Sequence, residues 1–194
     1  MYPHKSILVV GMDPSLRNWG IASGVYHLDT KKLEIASISV INPLLPTGKQ
    51  VRQNSLDMES GLQLYRGAVF AAKHAHAVFA EPPVGSQSAR AMASYGVCMG
   101  VLGALRANGI PFFEVTATEA KVAGAGSKTA TKRQMINWAV DAHPEANWPR
   151  YKEHGNLFIA ESQAEHMADA IAAIYAGVNS NAFNQMMLPF QQAA

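Results

Sequence analysis

Four side chains carry the chemistry this sequence could do. Asp13 lies in GMDPS directly after the apolar run SILVV, and Glu81 lies in FAEPP directly after AVFA. His166 and Asp169 lie three apart in AEHMADA, a spacing that puts both on one helix face. In an open α/β sheet, ligands gather outside the carboxyl ends of the strands. Carboxylates at two such ends, with two further donors on a crossing helix, could converge on a hard cation. Magnesium or manganese suits oxygen ligands with one imidazole. Each residue also has a plainer reading. Asp13 fits a turn residue capping its own backbone. Glu81 fits a solvated strand end, and the HxxD pair an ordinary helix face. Glu165, beside them, fits best as the reciprocal partner of Ser162 in a capping box.

A second group is basic. Lys121, Lys128, Lys132 and Arg133 surround the loop holding Gly124 and Gly126. Exposed backbone amides and lysines in such a loop can hold phosphates; otherwise the loop is an ordinary solvated one. Lys49 and Arg52 extend the track. Trp148, Arg150, Tyr151 and Lys152 interleave aromatics with bases, a pattern suited to stacking on unpaired bases. Alternatively, Trp148 pins a surface insertion to the core.

The elements that must position these groups follow from punctuation and periodicity. Residues 6–10, 19–27 and 33–40 read as strands, the last two joined by a turn at Asp29-Thr30. A helix is expected over 55–76, a strand over 77–80, a long helix over 86–108 and a strand over 111–115. Pro82-Pro83 prevents Glu81 from leading straight into a helix. Thr116-x-x-Glu119 opens a short helix, a further helix spans 129–142, and 143–159 is irregular. Ser162-x-x-Glu165 opens the last helix, which ends near 176. The whole is an α/β domain over 1–178. Its first three strands are antiparallel and the later ones parallel through right-handed crossovers. The polar tail 179–194 is expected to be loose. Gly96, Gly100 and Gly103 allow close approach, to the sheet or to a second copy.

Composition excludes several classes. The chain has 194 residues, 48% hydrophobic and 15% charged, so it is not a disordered polyelectrolyte. A net charge of +2 is too mild to name a nucleic-acid partner by itself. The single Cys98 excludes a disulfide framework and a cysteine zinc site. No apolar run reaches the ~18 residues of a membrane helix, and Asp13 and Arg17 come too early for a signal peptide. These features lead one to expect a soluble protein of a reducing compartment.

The motifs, in this order, resemble those of RuvC-type Holliday-junction resolvases. GMDPSLRNWGIASG is similar to the family's opening phrase and VFAEPP to its second acidic motif. FFEVTATEAKVAGAGSKTATKRQM is similar to the fifth-strand and basic-loop segment, and SQAEHMADAIAAI to the final helix. Together they cover residues 6–178. The resemblance implies a ribonuclease H-like fold with a mixed sheet of about five strands flanked by helices. It implies a homodimeric, metal-dependent endonuclease that nicks four-way DNA junctions with two Mg2+ or Mn2+ ions per site. Asp13, Glu81 and Asp169 fall on the family's acidic positions, and His166 on one that is Asp in many members and His in some. Lys121 and Lys132 fall near its phosphate-contacting lysines, with Lys128 able to take over one such role. Three departures stand out. His166 removes one negative charge, no aromatic follows Glu81 before Tyr95, and a segment is added around 143–159. The alternatives are a ribonuclease H-fold nuclease for flaps, forks or structured RNA, and a catalytically silent junction-binding protein.

Overall fold

The computed structural model describes residues 6–48 and 52–192; Lys49 lies outside them. Three strands, β1 (Ser6–Asp13), β2 (Trp19–His27) and β3 (Leu33–Ile41), form an antiparallel meander. Helix α1 (Gln53–Ala72) leads to β4 (Ala77–Ala80), which pairs parallel to β1. Helix α2 (Ala89–Ala107) leads to β5 (Phe112–Glu114), parallel to β4. The sheet order is β3-β2-β1-β4-β5, mixed as the sequence leads one to expect. All four residues of β4 are buried. A central parallel strand is covered on both faces, so its sequence AVFA is continuously apolar.

The remaining elements are helices α3 (Ala117–Ala123) and α4 (Lys132–Ala142), a two-stranded hairpin β6 (Arg150–Glu153) and β7 (Asn156–Ile159), and helices α5 (Glu161–Val178) and α6 (Asn181–Gln192). One face of the sheet packs on α1 and α2 through Val10, Met12, Val78, Leu64, Leu102 and Leu105. The other packs on α5 through Val9, Phe79, Ile171 and Ile174. Each such side chain contributes ~1.5–3 kcal/mol by leaving water. No helix among the described residues is long and apolar enough to cross a membrane.

Five expectations are corrected. Residues 181–192 are a helix, not a loose tail; Phe183 is buried and meets Tyr26, Phe79 and Phe113 edge-on. Residues 150–159 form the β6–β7 hairpin within the segment read as irregular. Helix α4 starts at Lys132 rather than 129, because Thr131 and Gln134 form a capping box there. Ser162 caps nothing: α5 begins after Ala160 with no side-chain cap. The α2 glycines do not pack on the sheet, since a Cβ at Gly96, Gly100 or Gly103 would meet open space. The Thr116–Glu119 box, in contrast, forms as expected.

Candidate active site

The alternation of β1 decides where Asp13 points. Val9 packs in the α5-side core and Val10 in the α1–α2-side core, so Gly11 and Asp13 share the α5 face. A Cβ at Gly11 would lie 1.9 Å from the Ala170 carbonyl oxygen; the bare backbone lets α5 lie directly on the strand. Two residues further along β1, ~6.6 Å, matches four residues back along α5, ~6 Å. That step leads from Ala170 to His166. His166 Nδ1 is accordingly 2.6 Å from Asp13 Oδ2 and hydrogen-bonded to it. Gly20 completes the approach. It is the register partner of Asp13 on β2, and its Cβ would lie 2.0 Å from the His166 carbonyl oxygen.

Glu81 arrives from the other side. Met12 pairs with Ala80 in the parallel β1–β4 ladder, so one further step sets Glu81 beside Asp13. Phe79 touches Gly177 of α5, and Glu81, two residues on, shares that face. Asp13, Glu81, Glu165 and Asp169 line one small cleft of about 220 Å³ with Lys121 and Lys132 on its walls.

His166 is absent from that lining and Glu165 is present, which reverses the expectation for Glu165. With Ser162 not capping, the Glu165 carboxylate accepts from Lys132 Nζ at 2.6 Å. Lys132 is therefore at the rim, paired with Glu165 while its side chain stays largely exposed. Lys128 is exposed on the loop, and Arg133 stands 3.8 Å from Glu161. Trp148 is buried, with Nε1 donating to the His143 carbonyl at 2.8 Å, so it pins the insertion and cannot stack on DNA. The segment after Glu81 has no regular structure; Tyr95, half-buried, lines a separate cleft with Arg17, Asn18 and Arg90.

The electrostatics are those of an acidic pocket short of positive charge. Burial, then the charges of Asp13, Glu165 and Glu81, push the Asp169 carboxyl up to about 7. Burial and Asp13 also raise Glu81, against Lys121. His166 is raised by its hydrogen bond to Asp13, against burial. Cys98 is pushed up to about 11 by burial, so its thiol stays protonated and is no ligand.

Among the described residues, no three His, Cys, Asp or Glu side chains stand grouped as a ready metal site. The donor set nevertheless fits a divalent cation. Buried oxygens that raise one another's pKa lack a compensating charge, and a hard cation supplies it. The Asp13–His166 hydrogen bond gives part of that compensation within the chain.

A pH dependence follows. In the unfolded chain Asp169 ionises near 3.8, and in the fold near 7. Between these values the folded state holds the extra proton, so this group favours folding below pH 3.8 and loses that contribution as pH rises through 7. In chelator, the parent's melting temperature should decline over this window relative to Asp169→Asn, whose profile should be flatter. Parallel profiles would contradict the assigned ionisation.

No protein-family model and no curated protein matches the sequence. Solved structures do match. A Thermus thermophilus RuvC is 19% identical, with a TM-score of 0.60, covering 93% of this chain and 96% of that one. The T. thermophilus RuvC in complex with a Holliday junction substrate gives 19% identity, a TM-score of 0.59 and the same coverage. The fowlpox virus Holliday junction resolvase is 8% identical, with a TM-score of 0.50, covering 88% of this chain and 96% of that one. The chain has the RuvC-type, ribonuclease H-like fold.

Proposed function

We propose that the protein is a metal-dependent endonuclease that nicks branched DNA, with four-way junctions as its principal substrate. The observation that carries this reading is the meeting of Asp13, Glu81 and Asp169 in one half-buried cleft at the carboxyl ends of β1 and β4. The RuvC-type fold, found in proteins that resolve or bind Holliday junctions, adds the substrate class.

Divalent ions, held by Asp13, Glu81 and Asp169, would supply charge for the attacking and leaving oxygens of an in-line displacement. Asp13 would take part in holding both ions. Glu81 and Asp169 each complete one side. His166 holds Asp13 in place through Nδ1, 2.6 Å from Asp13 Oδ2, and would serve as the base only if its ring turned toward the cleft, whose lining it does not join. Its imidazole in place of a carboxylate lowers the negative charge of the pocket and shifts preference toward manganese. Lys132 holds Glu165 at the rim. Lys121, Lys128 and Arg133 position the backbone by contacting phosphates. Paired symmetric incisions need two copies. The exposed α2 face bearing Gly96, Met99, Gly100 and Gly103 is the surface assigned to the second copy.

The test is incision of end-labelled four-way junctions, flaps, forks, structured RNA and linear duplex with Mg2+ or Mn2+. The expected result is symmetric nicking of the four-way junction ahead of every other substrate. Preferred cutting of flaps or RNA would redirect the specificity, and binding without incision in any metal would identify a silent junction binder.

A further inference from the structure

We propose that the cleft between the β6–β7 hairpin and α4 receives an unpaired nucleobase of the DNA substrate, stacked on Tyr151 and Phe158. The proposal rests on the nuclease reading above and adds a base-binding subsite to it.

The hairpin is a fixed projection. Its base is held by buried Trp148, by Asn147, whose side chain brackets the Ile38 backbone at 3.0 and 2.9 Å, and by Ala160 N–H donating to Pro149 at 2.8 Å. Its tip is a tight turn through His154 (φ 45°) and Gly155 (φ 83°). Residues 150–158 are all exposed. An isolated two-stranded ribbon is marginal in water, and neither Tyr151 nor Phe158 belongs to the hydrophobic core, so core packing does not explain an aromatic pair here. Tyr151 and Phe158 are direct cross-strand partners. Their rings are stacked 5.7 Å apart, and the residues are 47% and 43% exposed.

Facing this wall, α4 contributes Arg133, Asn137 and Asp141 along one stripe, with Ile136 and Val140 beside them, and the open groove between holds about 640 Å³. That space lies within the range of small-ligand sites. The chemistry selects among occupants. The rings offer a π-face to any base. The Asn137 amide and Asp141 carboxylate offer hydrogen bonds to a base edge. Asp141 and Glu161 make the interior unsuited to a phosphate. Arg133, 79% exposed at its side chain, instead stands at the mouth, where the backbone would run. A purely apolar partner would leave Asn137 and Asp141 buried without hydrogen bonds, a costly arrangement.

Position links the cleft to the acidic pocket. Arg133 follows Lys132, which is paired with Glu165 at the pocket rim. Glu161 of the cleft precedes Glu165 by four residues of α5, ~6 Å. A strand whose phosphate enters the pocket can therefore place a neighbouring, unpaired base against Tyr151 and Phe158.

The test uses the 194-residue chain with Ca2+ in place of Mg2+ or Mn2+, to read binding apart from incision, and four-way junctions carrying 2-aminopurine at unpaired positions beside the crossover. The parent should quench the probe at one of these positions. Tyr151→Ala/Phe158→Ala should abolish that quenching and weaken junction binding about tenfold, the ratio set by ~1.4 kcal/mol of stacking, with duplex affinity unchanged. Tyr151→Phe/Phe158→Tyr should retain both signals. Junction binding by the parent with no response to the alanine pair, or an equal loss on plain duplex, would overturn the base subsite alone. Failure of the parent to bind any branched DNA would instead remove the nuclease reading, and the subsite with it.

Discussion

Asp13→Asn is expected to lower incision of a four-way junction by on the order of a thousandfold, ~4 kcal/mol of barrier, while junction binding persists. The substitution keeps the shape of the side chain, and its amide oxygen can still accept from His166 Nδ1, so the β1–α5 contact survives. What disappears is the negative charge nearest to both other carboxylates. The same loss lets the Asp169 carboxyl fall back toward its ordinary range, because Asp13 is the leading charge holding it up. Two readouts therefore move together, incision and the Asp169 titration. Incision at close to the parent rate would remove Asp13 from the chemistry.

Gly20→Ala should have a large effect on the fold. The new methyl would stand 2.0 Å from the His166 carbonyl oxygen and 3.0 Å from its Cβ. Neither obstacle is the end of a flexible side chain, so α5 or β2 must move. The cost belongs at the top of the overpacking range, roughly 3 kcal/mol, or ~6–12 °C in melting temperature for a chain of this size. Incision should fall further than stability, because the displaced atoms belong to the residue that orients Asp13. The check is a urea unfolding series beside incision rates under conditions where the variant remains folded. A variant with parent stability would mean that α5 can lift from the sheet at little cost.

The contrast between legible and illegible parts has physical causes. Asp13 and Glu81 could be placed from sequence because each ends an uninterrupted apolar strand, and a buried strand stops where polar groups can reach solvent. The sheet order followed from the same runs and the helices between them. Glu165 was misplaced because Ser162-x-x-Glu165 satisfies the local capping pattern. The competitor, Lys132, lies 33 positions away in the chain and becomes visible only when α4 lies beside α5. The β6–β7 hairpin was hidden because its strands are four residues each and exposed, so they show no alternation between core and solvent. His154-Gly155 was the available signal, as a turn able to adopt left-handed backbone. Helix α6 was obscured by its Asn and Gln content, although Phe183 and Met187, both buried, are spaced one turn apart. Gly11 and Gly20 carry no local signal of their need for a bare backbone. Their reason, contact with the α5 backbone, is a property of the assembled layers.

In the proposed mechanism Asp13, Glu81 and Asp169 share divalent ions. Anomalous diffraction from crystals soaked in manganese tests it most directly. The expected result is manganese bound by Asp13 together with Glu81 or Asp169, lost in crystals of Asp13→Asn. Saturating manganese that leaves this cleft empty, in protein that still cuts junctions, would contradict it.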